Sequence, residues 1–164
     1  MKFPNSTGLK KADVILVGVP DESGSRSYRK GSSEAPDFIR KIASERDVFG
    51  ERKERFAYPL KCNYGKLHDI GNIKKDALRE ANTKTRRMGK VPIVLGGDHS
   101  ITYESLRGVL AVDDSISVIY FDAHPDMVCG KGHYYGSVVY DAVELEGNRI
   151  TVNLVGTRAV EAQE

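Results

Sequence analysis

The sequence predicts an α/β fold in three layers, αβα, with helices covering both faces of a mostly parallel sheet. Three observations carry this. Apolar runs alternate with segments of helical spacing almost throughout the chain. VILVGV and VPIVL are continuously apolar and SVIYF nearly so, the pattern of strands buried on both faces in a parallel sheet. No internal repeat or low-complexity linker interrupts the series, so one layered unit accounts for it.

In chain order, the first strand is VILVGV, residues 14–19, closed by Pro20 and the polar loop DESGSRSYRKGSS. APDFIRKIASE follows as a helix, with Phe38, Ile39 and Ile42 at core spacing. Across 50–70 the pattern weakens to a loop and a short strand leading to His68-Asp-Ile-Gly71. NIKKDALREANTKTRRMG is a helix with Asn72 at its N-cap and Ile73, Ala77, Leu78 and Ala81 on one face. Gly89 sits where a C-terminal cap belongs. VPIVL is the next strand and SITYESLRGVL the next helix. SISVIYF, GSVVYDAVEL and RITVNLVG then read as strand, helix and strand. Right-handed crossovers keep the carboxyl ends of the strands on one rim, with VILVGV, VPIVL and SVIYF adjacent or near-adjacent. The pattern stops directly after its last strand, at VGTRAVEAQE, which reads as a sheet incomplete at its C-terminal end.

Composition excludes several function classes. The 25 Lys and Arg nearly balance the 23 Asp and Glu, so there is no electrostatic footprint for nucleic acid or a membrane surface. The run ERKER, 51–55, mixes signs and reads as a solvated face. Hydrophobic residues at 40% are too many for general disorder. The longest apolar runs are far too short to span a bilayer, and MKFPNSTGLKK lacks the apolar core of a signal peptide. Two cysteines, Cys62 and Cys129, without CxxC spacing, suit a reducing cytoplasm better than a disulfide framework.

The chemistry gathers in two motifs, GGDHS (96–100) and DAHPD (122–126), each directly after a strand. Ligands in open α/β sheets bind beyond the carboxyl ends of strands, so both lie on the functional rim. Gly96 and Gly97 let the backbone turn sharply and deliver His99 to the start of the next helix. Asp122, His124 and Asp126 alternate, so an extended backbone points all three to one side. Two carboxylates that close repel unless a positive charge compensates, and a divalent cation supplies it. With His99 the set is two imidazoles and two carboxylates, which suits Mn²⁺, Fe²⁺ or Zn²⁺, the carboxylates favouring Mn²⁺. Four ligands close a single site; the alternative is a metal pair sharing a hydroxide across a bridging carboxylate. Either motif alone reads as a turn, a helix cap or a core histidine. Together, at matched strand ends, they read as a metal site.

At these residues the sequence resembles the ureohydrolase superfamily: arginases, agmatinases and formimidoylglutamases, which cleave guanidino groups at a binuclear manganese centre. PIVLGGDHSIT and YFDAHPDM are the specific motifs. LVGVPDE is similar to the family's first strand and G-x-P turn, and KGSSEAPDFIRK to its "G…GP..IR" segment. HDIGNI is similar to its D-x-G element and VGTR to its later G-x-R strand end. The resemblance implies that residues 1–164 are the N-terminal part of a single arginase-like domain. It implies two Mn²⁺ ions activating a hydroxide that hydrolyses a small guanidino (linear amidine) substrate and releases urea. His99 then binds one ion and His124 the other, Asp122 bridges them, and Asp126 completes the first site. Asp98 stands behind the ligands. It further implies a cytoplasmic homo-oligomer, a trimer or hexamer, in polyamine metabolism, with no nucleic-acid or membrane partner.

The sequence departs from the family pattern in two places. The S-x-D-x-D motif that supplies the family's last two aspartate ligands is absent, as is the segment with the glutamate that receives the guanidinium. The expectation is a fragment of a longer protein or a truncated relative, inactive alone; the alternative is a non-catalytic relative acting as an interaction or regulatory protein. The family's proton-shuttling histidine after DAHxD aligns with Tyr135, two residues beyond His133. A phenol with a pKa near 10 shuttles protons poorly at neutral pH, so His133 is the expected catalytic group, although it also reads as a solvated loop histidine. The loop MVCGKGHY lacks the polar pattern with which arginases read an α-amino acid, which tilts the resemblance toward agmatinases. Lys131, in that loop, is placed to meet a substrate carboxylate or simply solvent.

Overall fold

The computed structural model describes residues 2–3, 6–50, 66–129, 133–160 and 162, with 45–50 through their backbone alone. The run 51–55, Cys62 and Lys131 lie outside the described residues. Among those described, Cys129 is a free, exposed thiol, and no helix is long and apolar enough to cross a membrane.

The continuously apolar run becomes the central strand β1 (Val14–Val19), buried from Ile15 onward. It pairs in parallel with β2 (Leu67–Asn72) on one side and β3 (Val91–Gly96) on the other, Val14 standing opposite Leu67 and Val91. Helix α1 (Ala35–Gly50) lies on one face, where Pro36 and Arg40 pack beside Gly18. Helices α2 (Leu78–Arg87) and α3 (Ile101–Leu110) cover the other, where Leu78 and Ile101 join Val17 and Val19 in a core cluster. The three αβα layers are therefore present.

A second parallel sheet pairs β4 (Ile116–Phe121) with β5 (Ile150–Val155), Ile116 opposite Ile150. Helix α4 (Val138–Glu146) connects them. Its core joins Tyr103 and Leu106 of α3 to Ala142 of α4, Ile116 and Val118 of β4, and Ile150 and Val152 of β5. Every described strand pair is parallel, as the alternation requires.

Three local expectations are corrected. VILVGV and VPIVL are neighbours, but SVIYF is not in their sheet; it ladders with β5. Phe38 and Ile39 face outward, at 60% and 41% exposure, whereas Arg40 is fully buried. The cause is Asp69, whose carboxylate takes Nε and Nη2 of Arg40 at 2.8 and 2.9 Å and so turns the Pro36–Arg40 face of α1 inward. Asn72 is no helix cap: it ends β2, and its side-chain oxygen accepts from Arg40 Nη1. A 3₁₀ turn at Lys75–Ala77 precedes α2 instead. Gly89, left-handed at φ +68°, follows α2 as a C-terminal cap glycine should.

Candidate metal centre

The ends of β3 and β1 are tied together. Gly97 N–H donates to Val19 O at 3.0 Å and Asp98 N–H to Asp21 O at 2.9 Å. A Cβ on Gly97 would fall 1.9 Å from the Asp21 carbonyl oxygen, so this turn excludes any side chain. Asp98 then bends the chain into α3 by accepting Ser100 N–H on Oδ1 at 2.8 Å. This sets His99 at the head of the helix. Asp98 is buried.

The second motif leaves β4 with Asp122 N–H bonded to Val155 O at 3.2 Å. Asp122 Oδ1 accepts the backbone N–H of His124 at 2.9 Å, closing a tight turn. Asp126 is buried and left-handed at φ 50°, a conformation rare outside glycine. Its carbonyl holds that backbone in place by accepting Val139 N–H and Tyr140 N–H of α4, at 3.1 and 3.3 Å.

The two motifs converge. His99, Asp122 and Asp126 each offer a donor atom, all within 4.8 Å of one another. Asp122 points one oxygen at each imidazole: Oδ2 lies 3.9 Å from His99 Nε2, and Oδ1 lies 3.3 Å from His124 Nδ1. His124 stands outside the tight trio and is half exposed. Burial pushes the Asp122 carboxyl up, but the His124 amide and ring, with His99, outweigh it and hold the group below its ordinary value. The four residues line a cavity of about 320 Å³ together with Val128 and Tyr134–Gly136. A larger cavity of about 950 Å³ opens at the ends of β1 and β2, beside Asp21, Lys74 and Lys75. It holds none of the clustered donors, so the smaller cavity is the candidate site.

The donors fit a divalent cation. His99 turns Nε2 toward Asp122 Oδ2 across 3.9 Å, too far for a hydrogen bond and a gap that a cation held by both atoms would fill. The donor set is nitrogen and oxygen, with two carboxylates to neutralise charge.

His133 is not among the residues lining the cavity. Its Nδ1 meets Asp141 Oδ2 at 3.0 Å, and its ring stacks on Tyr103 with centroids 5.0 Å apart. Tyr135 does line the cavity. Sequence reasoning missed Tyr120, whose buried hydroxyl touches both Asp126 and His99.

The chain matches the Arginase family over residues 12–164. It belongs to the arginase family. It is 30% identical over 145 residues to a mitochondrial agmatinase of Gallus gallus, covering 84% of this chain and 42% of that protein. It is 31% identical over 160 residues to arginase 2 of Arabidopsis thaliana, covering 85% of this chain and 44% of that one. The structure of the agmatine ureohydrolase of Thermoplasma volcanium superposes with a TM-score of 0.74 at 28% identity, covering 98% of this chain and 55% of that chain. The chain thus spans about half the length of the relatives it matches.

Proposed function

We propose that the chain forms the metal-binding part of a hydrolase that cleaves a guanidino C–N bond and releases urea, with an agmatine-like amine as substrate. The observation that carries it is Asp122, which turns a different carboxylate oxygen toward each of two histidines. That arrangement suits a pair of Mn²⁺ ions, with His99 and Asp126 on one side, His124 on the other and Asp122 between. When bound, such a pair makes hydroxide available at neutral pH. Asp122 and Asp126 supply two of the negative charges such a pair needs, and the cavity beside them has a volume of about 320 Å³. The amine character of the substrate is supported by the agmatinase relatives and by the 127–134 loop, which lacks a polar pattern for an α-amino acid.

The proton for the leaving amine is assigned to His133. Asp141 Oδ2 lies 3.0 Å from its Nδ1 and orients the ring, and an imidazole can both take and give a proton. Tyr135, which lines the cavity, is the alternative group for this step. The whole protein is read as a cytoplasmic homo-oligomer in polyamine metabolism. One observation favours the non-catalytic alternative, in which the chain serves as an interaction protein: Ile119 and Phe121 present an exposed apolar surface.

Two divalent ions bring about four positive charges, against two carboxylates in the cluster. The 164-residue chain alone is therefore expected to bind Mn²⁺ weakly and to release little urea. The test is a calorimetric Mn²⁺ titration of the chain and of Asp122→Asn, with urea release from agmatine and arginine measured on the same samples. Weak binding that disappears in the variant is expected. A chain that binds no Mn²⁺ at millimolar concentration refutes the metal site, and robust turnover refutes the charge argument.

A further inference from the structure

One wall of the metal cavity is fastened at both ends to a single atom. Tyr134, Tyr135 and Gly136 line the cavity, and the residues on either side of them are His133 and Ser137. His133 Nδ1 lies 3.0 Å from Asp141 Oδ2, and the Ser137 hydroxyl donates to the same oxygen at 2.7 Å. Asp141 belongs to α4, and its side chain is largely buried.

The surroundings make this a clamp. Ser137 is itself buried, and its Oγ accepts the backbone N–H of Tyr134 at 3.1 Å. The His133 ring lies nearly parallel to that of buried Tyr103 on α3, with centroids 5.0 Å apart. A Ser–Asp pair four residues apart at the start of a helix would account for Ser137 alone. It does not account for His133, which reaches the same oxygen from the other end of the lining segment. An ionised carboxylate only accepts and has room for several donors, so one oxygen serves both partners. Between them, Tyr135 N–H donates to Gly24 O at 3.4 Å and Val128 N–H to Gly136 O at 3.1 Å, which tether the backbone without fixing either end.

We infer that Asp141 is a positioning residue, which acts through His133 and Ser137 to set the Tyr134–Gly136 wall against the metal cavity. The inference rests on the metal reading above. It extends the site to a carboxylate outside the donor cluster, and it ties both groups considered for the proton step to that carboxylate: His133 directly, and Tyr135 through Ser137.

The test uses Mn²⁺ as a ruler, because its paramagnetism relaxes nearby protons with a steep dependence on distance. With millimolar Mn²⁺ added to the 164-residue chain, the ring protons of Tyr134 and Tyr135 are expected to relax strongly. In Asp141→Ala, compared at equal Mn²⁺ occupancy, that relaxation should fall, and the His133 ring protons should lose the shift that stacking on Tyr103 gives them. Mn²⁺ affinity should hold, since none of the four expected ligands is altered. Asp141→Asn, which keeps a side-chain oxygen to accept, should restore part of both signals. Unchanged tyrosine relaxation in Asp141→Ala, a matching loss of Mn²⁺ affinity, or no restoration in Asp141→Asn overturns the inference and leaves the metal reading intact. Mn²⁺ that relaxes no ring proton of His99 or His124 in the wild type overturns both. If Asp141→Ala does not fold, Ser137→Ala decides: Tyr135 relaxation should fall while the His133 shift stays, and unchanged Tyr135 relaxation overturns the inference.

Discussion

The two sheets are made of similar parallel strands and differ in what covers them. β1 is buried from Ile15 to Val19, with α1 on one face and α2 and α3 on the other. In the second sheet, α3 and α4 cover the Ile116, Val118 and Tyr120 side of β4, while Ile119 and Phe121 stand 64% and 78% exposed on the other. The candidate site straddles this difference. His99 comes from the end of the doubly covered sheet, and Asp122, His124 and Asp126 come from the end of the singly covered one. Among the described residues no ladder joins β3 to β4. The joint is α3, whose Ile101 sits in the first core and whose Tyr103 sits in the second. The precision of the site thus depends on helix packing and side chains such as Tyr120, not on strand pairing.

The largest effect expected is at the first sheet's buried ion pair. Arg40 and Asp69 are both fully buried, and Arg40→Met leaves the Asp69 carboxylate without its guanidinium. Removing one partner of a buried pair costs about 3–5 kcal/mol, which urea denaturation will read. The same pair has a pH signature. Burial pushes the Asp69 carboxyl up, but Arg40 and the amides of Phe3 and Gly71 outweigh it, and the group lies below its ordinary 3.8. A value depressed in the folded state means that the contribution is present above 3.8 and is lost as pH falls through the folded value. Acid unfolding of the wild type should show this loss; if Arg40→Met unfolds with an identical acid profile, the pair is not the cause.

A smaller loss is expected where the first sheet delivers His99. Gly97→Ala drives a methyl into the Asp21 carbonyl, at 1.9 Å before relaxation, and the turn must open. Overpacking of this kind costs about 1–3 kcal/mol. Because His99 is displaced with the turn, Mn²⁺ binding should weaken as well. Stability lost with metal affinity unchanged would show that the two strand ends are less tightly joined than their hydrogen bonds indicate.

Much of this organisation was legible locally. VILVGV, VPIVL and RITVNLVG are strands because apolar β-branched runs suit a pleated, buried surface, and Gly89 ends α2 because a left-handed residue is needed there. The inward turn of Arg40 was not legible, since its partner Asp69 lies 29 residues away and local spacing favours Phe38 and Ile39. The division into two sheets was not legible either, because alternation gives strand direction but not which strands are neighbours. At the site, the alternating Asp122, His124 and Asp126 announced themselves through charge beside an apolar run. Tyr120 did not, because a tyrosine inside a strand reads as core until its hydroxyl is seen to have partners.

The smallest effect tests the bare side of the second sheet. Ile119→Thr with Phe121→Thr keeps β-favouring side chains while removing two large apolar groups that already face water. Exposed substitutions of this kind usually move stability by no more than about 0.5 kcal/mol, so denaturation should scarcely change. Association should change more. A contiguous apolar surface beside Val155, itself 44% exposed, favours contact between molecules, and sedimentation velocity should show less self-association in the double variant. A stability loss well above 1 kcal/mol would mean that this face is covered in solution, as β1 is, and that the two sheets differ less than their exposure indicates. The same substitutions leave the Tyr120 side of β4 untouched, so Mn²⁺ affinity should hold; a fall would show that the outer face supports the site through the strand.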